Sequence, residues 1–261
     1  GFKLNLVALA QAGVKTIALA CVVVTGTIFL AYNLARRFGV DRHLAILTAS
    51  GTGICGAAAV MGIASQLPTS EKDAERHGED KVVAVAIVAI LGTLFTLVDI
   101  AVGPLLGMSA TQFGVMAGGS LHEIAHAVAA GGAGGSESLD IAIITKLSRV
   151  LLLAPAAIVI GVWYRKAEGV EADGKGKVPI PWFMVGFVAA SVVGTFAPLT
   201  QEMLDGLVKV SYLLLGMAMA ALGMTVNFRV LLTRGRNAFV AALITSVVLL
   251  AFVAAMALLF F

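Results

Sequence analysis

The chain has 261 residues, 59% of them hydrophobic and 13% charged, with a mean hydropathy of +0.99 and a formal charge of +3. A soluble domain is about 45–50% apolar and 25% charged, so this composition excludes a water-soluble globular body, and the apolar runs leave no stretch long enough for a separate soluble domain. The basic residues sit at the ends of apolar runs rather than in a patch, which argues against nucleic-acid binding and fits the charge bias that orients membrane segments.

The chain opens on Gly1 and shows no signal-peptide pattern. Apolar runs able to cross a hydrocarbon core of about 30 Å as helices predict membrane segments near 14–35, 44–66, 82–106, 112–130, 141–164, 180–198, 207–224 and 237–260. The expectation is an all-α, multi-pass membrane protein of about eight segments forming a single domain over 1–261. The first segment carries Cys21 and is followed by Arg36, Arg37 and Arg42. The second contains Cys55 and is broken by glycine in Ala49-Ser-Gly-Thr-Gly-Ile-Cys-Gly-Ala. Two cysteines far apart in apolar runs imply free thiols.

The third segment carries Asp99, for which no motif suggests more than a structural or pore-lining place. The fourth is also broken, in Ala117-Gly-Gly-Ser-Leu-His-Glu-Ile-Ala-His, and ends in a flexible turn at Gly131-Gly-Ala-Gly-Gly-Ser. Lys146 and Arg149 stand near the start of the fifth, and Arg165, Lys166, Lys175 and Lys177 follow it. Pro179 and Pro181 mark the entry to the sixth, and Arg229, Arg234 and Arg236 precede the eighth. With these basic clusters on the cytoplasmic side, eight crossings alternate. The weak point is 69–81, which mixes both signs and makes the second segment the candidate for an incomplete crossing. Gly1, Asn5 and Gly13 match Gly223, Asn227 and Gly235 at one offset, an echo that points to an inverted repeat of the kind secondary transporters use.

Glycine permits unwound backbone, which is tolerated at membrane depth only where protein or water surrounds it. A broken helix presents a half-helix N-terminus that attracts anions, whereas glycine and alanine also serve plain close packing. Two such breaks, with Thr52 and Ser120 each following a glycine, favour a site. Amides near Gly51, Thr52, Gly53, Cys55 and Gly56, and near Gly119, Ser120 and His122, are the candidate substrate donors. Glu123, His126, Lys146 and Arg149 are the candidate proton or ion-coupling groups, because an intramembrane charge costs roughly 2.5–3.5 kcal/mol on insertion scales and histidine titrates near neutral pH. For Lys146 and Arg149, snorkelling to the interface is the equal alternative. On one continuous helix His122 and His126 share a face, and His122-Glu123-Ile124-Ala125-His126 fits the zinc motif H-E-x-x-H. With Leu204-Asp205-Gly206 supplying a third ligand, Asp205, the alternative is an intramembrane zinc metalloprotease of the site-2 type with Glu123 as base.

Four stretches carry a resemblance over essentially the whole chain. They are Gly51-Thr-Gly-Ile-Cys-Gly-Ala, Gly119-Ser-Leu-His-Glu-Ile-Ala-His-Ala-Val-Ala-Ala-Gly, Lys146-Leu-Ser-Arg-Val-Leu-Leu-Leu-Ala-Pro and Met217-Ala-Met-Ala-Ala-Leu-Gly-Met. In that order and spacing the chain resembles the bacterial sulfate exporters of the YeiH type, whose pattern commonly has glutamine at the position of His126. The resemblance implies about three further N-terminal helices and a plan similar to cation/proton antiporters. It implies a non-enzymatic secondary transporter in the bacterial cytoplasmic membrane that moves a small inorganic or organic anion, sulfate first, coupled to a proton or sodium. No cofactor is expected, and the small-residue faces are compatible with a homodimer.

Overall fold

A computed structural model describes residues 13–68, 71–168, 182–197, 200–225 and 233–261, and among them the regular structure is helix alone. The helices are α1 (Gly13–Arg37), α2 (Arg42–Gly53), α3 (Ala57–Ala64), α4 (Ala74–Leu105), α5 (Ala110–Ser120), α6 (Ile124–Ala133), α7 (Ser136–Leu151), α8 (Leu153–Ala167), α9 (Trp182–Phe196), α10 (Gln201–Thr225) and α11 (Arg236–Phe260). Among the described residues four paths are long and apolar enough to cross a membrane: α1, α4, α7 continued by α8, and α11. The joint between α7 and α8 lies at Leu152, where Pro155 has no N–H to offer the carbonyl one turn earlier. Outward faces carry large apolar side chains such as Val22, Phe29, Leu97 and Val247. In water so much exposed apolar surface would be a liability, but in a bilayer it meets its own solvent.

The two ends of the bundle differ in chemistry. One gathers the close of α1, the starts of α2, α4 and α11, and the close of α8. There Asn237 donates to Phe38 O at 2.8 Å, Arg42 reaches Ala167 O at 2.9 Å and Glu168 at 2.8 Å, and Arg76 lies 3.4 Å from Asp41. Buried Asp80 joins His43 Nδ1 at 3.0 Å and Arg234 at 2.9 Å. Asp41 also caps α2, accepting from the Leu44 amide. The far end holds the close of α4 and the start of α5, where Ser109 and Gln112 form a reciprocal capping box.

The two glycine-broken segments do not cross. α2 enters from the basic end and α3 returns to it: Gln66 packs on Gly161 of α8, one turn from Tyr164, whose ring meets His43 at the start of α2 edge-on. α5 enters from the far end and α6 returns there, so that Gly134 touches Phe113 in the first turn of α5 and Thr111 donates to Glu137 of α7 at 2.9 Å. The expected alternation of eight crossings is therefore corrected. The segments at 44–66 and 112–130 are re-entrant hairpins from opposite ends, and 71–81 shares an end with Arg42. The expected segments at 180–198 and 207–224 correspond to α9 and α10, the latter packed on α4. The echo between Gly1, Asn5, Gly13 and Gly223, Asn227, Gly235 depends on Gly1, Asn5 and Asn227, which lie outside the described residues.

This topology predicts labelling sides. In vesicles holding the chain with Cys21 and Cys55 replaced by alanine, an impermeant maleimide should reach Arg37→Cys and Lys72→Cys from one side, and Leu106→Cys and Ser136→Cys from the other. Alternating crossings would split each pair.

Candidate functional site

The hairpins break at residues 54–56 and 121–123, bringing four helix ends into the interior. The last carbonyls of α2 and α5 have no partner within their own helices, and an unsatisfied backbone group in hydrocarbon costs several kcal/mol. α7 supplies the donors. Lys146 and Arg149, three apart and so on one face, are both fully buried. Lys146 Nζ donates to Ile54 O at 2.8 Å and Leu121 O at 2.6 Å. Arg149 Nη2 donates to Gly53 O at 2.8 Å and Thr52 O at 3.3 Å, while its Nη1 donates to Gly119 O at 2.7 Å and Leu121 O at 3.0 Å. The two cations thus bridge the negative ends of two helix dipoles pointing in from opposite sides. Snorkelling is ruled out for both in this arrangement. Among the described residues no carboxylate forms an ion pair with either one.

The other half-helices begin at the same place. Glu123, opposite Gly56, accepts from the Ala57 amide through Oε1 at 3.3 Å, at the N-terminus of α3. Gly56 has φ +68°, and a Cβ there would overlap the Glu123 side chain, so this position is restricted to glycine by both backbone and space. His122 is buried in the break itself, with Nε2 2.9 Å from Ser246 Oγ of α11. His126, on α6, turns to α4, with Nε2 3.4 Å from Thr93 Oγ1 and its ring against Gly92. Asp99 of α4 is buried, with Oδ2 2.7 Å from Ser120 Oγ.

The expected amide cradle is corrected in part. The amides of Ile54, Gly56 and Leu121 donate to Ser50, Gly51 and Ala117 carbonyls, and Thr52 donates its hydroxyl to Thr48 O. What the breaks turn toward α7 is carbonyl oxygen, with Gly53 and Gly119 contributing theirs to Arg149. A Cβ at Gly51 would meet Val60 and Val88, one at Gly53 would meet Ile28 of α1, and one at Gly119 would meet Val253 of α11. These three glycines therefore also serve close packing. Cys55 is buried in the first break as a free thiol.

The zinc-like motif is corrected as well, because the break at 121–123 places His122 outside α6 and turns the two histidines to different helices. Asp205 lies exposed on α10, and among the described residues no three His, Cys, Asp or Glu side chains stand together as metal ligands. Sequence reasoning missed Thr93 and Ser246 as partners of the histidines. The adjacent Thr245 and Ser246 in the otherwise apolar last helix were the available signal.

Compared with known proteins, residues 1–242 match the family described as conserved hypothetical protein 698. That range contains every residue named above for the site except Thr245, Ser246 and Val253. A UPF0324 membrane protein of Lactobacillus johnsonii is 53% identical over 266 residues, covering all of this chain and 77% of the relative. One from Bifidobacterium longum is 52% identical over 262 residues, covering the whole chain and 73% of the relative. One from Bacillus cereus is 46% identical over 250 residues, or 95% of this chain and 72% of the relative. No solved structure matches.

Arg149 places a separate nitrogen at each helix end, Nη2 at Gly53 O and Nη1 at Gly119 O, and a lysine at this position would have one nitrogen for the two places. Arg149→Lys should therefore lose about 1.5–3 kcal/mol for the end it releases, read as a lower melting temperature in detergent. A wild-type melting temperature would show that one end alone needs the charge.

Proposed function

The chain belongs to the family of conserved hypothetical protein 698, whose relatives here are UPF0324 membrane proteins, and from that premise we propose that it is a secondary transporter of the bacterial cytoplasmic membrane that moves a small anion, sulfate being the first candidate, coupled to protons. The observation that carries the reading is the pair Lys146 and Arg149: two basic side chains, fully buried where the hairpins meet, with no carboxylate paired to either among the described residues. Burying them costs several kcal/mol, and carbonyl oxygens supply only partial negative charge in return. An arriving anion completes the compensation.

Two further features support it. Lys146 bonds Ile54 O in one hairpin and Leu121 O in the other, each the first residue after its half-helix. Equivalent contacts from opposite ends are what an inverted repeat provides, and that plan permits a central site to open to either side in turn. Basic residues gathered at one end give the orientation, that end cytoplasmic. The YeiH-type resemblance supplies sulfate as the anion to try first.

Glu123 supplies the coupling. Its carboxyl lies at the N-terminus of α3, the place where a half-helix dipole favours a substrate anion. As a carboxylate it competes with the substrate for that position, and protonation removes the competitor. Anion and proton then bind together. The titratable and charged groups around it are His122 and His126 on its own hairpin, Cys55 in the opposite break, Lys146 and Arg149 on α7, and Asp99 on α4; described α11 brings the uncharged Ser246.

The test is the melting temperature of the purified chain against sulfate, sulfite, thiosulfate and small carboxylates at matched ionic strength, across pH. A ligand at about 100 times its dissociation constant adds roughly 2.7 kcal/mol. One anion should stabilise the protein, and more strongly as pH falls. Glu123→Gln keeps the acceptor oxygen but not the charge, so it should bind that anion at neutral pH as wild type does in acid. No stabilising anion at any pH would overturn the transport reading; an unchanged pH dependence in Glu123→Gln would remove Glu123 from it.

A further inference from the structure

Asp99 lies outside the cation site, and counting hydrogens around it decides its state. Ser120 Oγ is 2.7 Å from Met116 O, one turn back in α5, and also 2.7 Å from Asp99 Oδ2. Both are ideal distances for O–H···O bonds. A serine hydroxyl has one hydrogen and two lone pairs, and a backbone carbonyl only accepts. If Ser120 donates to Met116 O, as a helical serine habitually does, the second hydrogen must come from the carboxyl. If instead Ser120 donates to an ionised Asp99, the contact with Met116 O joins two acceptors without a hydrogen between them.

The surroundings favour the first arrangement. Asp99 is fully buried, and among the described residues its Oδ1 has no protein donor and no cation forms an ion pair with it. An ionised carboxylate there would keep a full charge in an apolar place with at most one hydrogen bond. A neutral acid donates one bond and leaves one carbonyl oxygen unmatched, a much smaller loss.

We infer that Asp99 is a membrane-buried proton-binding site, occupied in this conformation: its hydroxyl donates from Oδ2 to Ser120 Oγ, and Ser120 in turn donates to Met116 O. Release of the proton turns the Ser120 hydroxyl from Met116 O to the carboxylate. The change falls on the last residue of α5, beside Gly119 O, which Arg149 holds. The titratable and charged groups nearest on neighbouring elements are His122 in the break, its ring 6.1 Å from that of Phe95 one turn before Asp99, His126 of α6, its ring against Gly92 two turns before Asp99, and Arg149 of α7, which holds Gly119 O beside Ser120. α11 brings Thr245 and Ser246, and the charged residues Glu202, Asp205 and Lys209 of α10 are exposed. This site takes its proton whatever the protein transports.

The test is infrared spectroscopy of the full chain in detergent at neutral pH, with and without 13C-labelled aspartate carboxyls. A C=O stretch of a protonated acid should be present, shift with the aspartate label and vanish in Asp99→Asn. In Ser120→Ala the acid loses its acceptor, and the band should move to higher frequency. Should Asp99→Asn not fold, the isotope shift and the Ser120→Ala displacement decide on their own. A wild-type spectrum with no label-sensitive protonated band, or a band that Ser120→Ala leaves in place, overturns the inference. Neither result depends on whether an anion binds.

Discussion

A helix that stops inside a membrane leaves carbonyl oxygens that water cannot reach, and the arrangement of this protein answers to that constraint. Two helices stop, at Gly53 and at Ser120, and one cationic pair serves both. Lys146 supplies one ammonium for the first carbonyl beyond each helix, and Arg149 a planar fork whose two arms take one helix end apiece. That division of labour requires the ends to face the same stretch of α7 from opposite directions. Hence the hairpins enter from opposite ends and turn back at matching depth. Lys146 and Arg149 lie roughly 15–20 Å along α7 from Ser136, near the middle of a hydrocarbon core.

Close approach is the second requirement, and small residues meet it. A Cβ at Gly118 would strike the Ala142 carbonyl, and one at Gly131 would sit 2.7 Å from Ala142 Cβ. Both arms of the second hairpin thus lie directly on α7, which lets side chains of modest reach span both breaks. The glycines that read as signs of unwound backbone largely turn out to permit this packing, and the unwinding is confined to three residues in each hairpin. Among the described glycines, backbone angle and crowding coincide only at Gly56, and the crowding group is Glu123.

Membrane class, free cysteines and the two broken segments were legible from composition and from glycine placed among apolar residues, as were the positions of Glu123, Lys146 and Arg149 within apolar runs. The hairpin turns were not, because a re-entrant segment of some 23 apolar residues has the same hydropathy as a crossing one. Only the mixed charges at 71–81 betrayed it, and their meaning became plain once Asp80 met His43 and Arg234. The H-E-x-x-H spacing misled for a related reason. Helical periodicity puts His122 and His126 on one face only if the helix is continuous, and Gly118-Gly119-Ser120 ends it just before the motif. Long-range partners such as Thr93 and the Asp99–Ser120 pair have no local signature, and Ser246 has only its place beside Thr245 in an otherwise apolar helix.

The same bonds that hold the site also limit how it can move. The first hairpin is fastened at the basic end by His43 to Asp80 on α4 and by Arg42 to the close of α8. The second is fastened at the far end through Thr111 to α7. At the tips Arg149 joins one hairpin to the other, and the second tip is also held by His122 to Ser246 of α11 and by Ser120 to Asp99 of α4. Withdrawal of one tip forfeits the charge-assisted bonds of one Arg149 nitrogen and leaves those of the other intact, whereas withdrawal of both strands a bare guanidinium in hydrocarbon. The second state is costlier by the interactions of a whole helix end. A chain built this way disfavours having both tips away at once, which is the energetic condition that an alternating-access site has to meet.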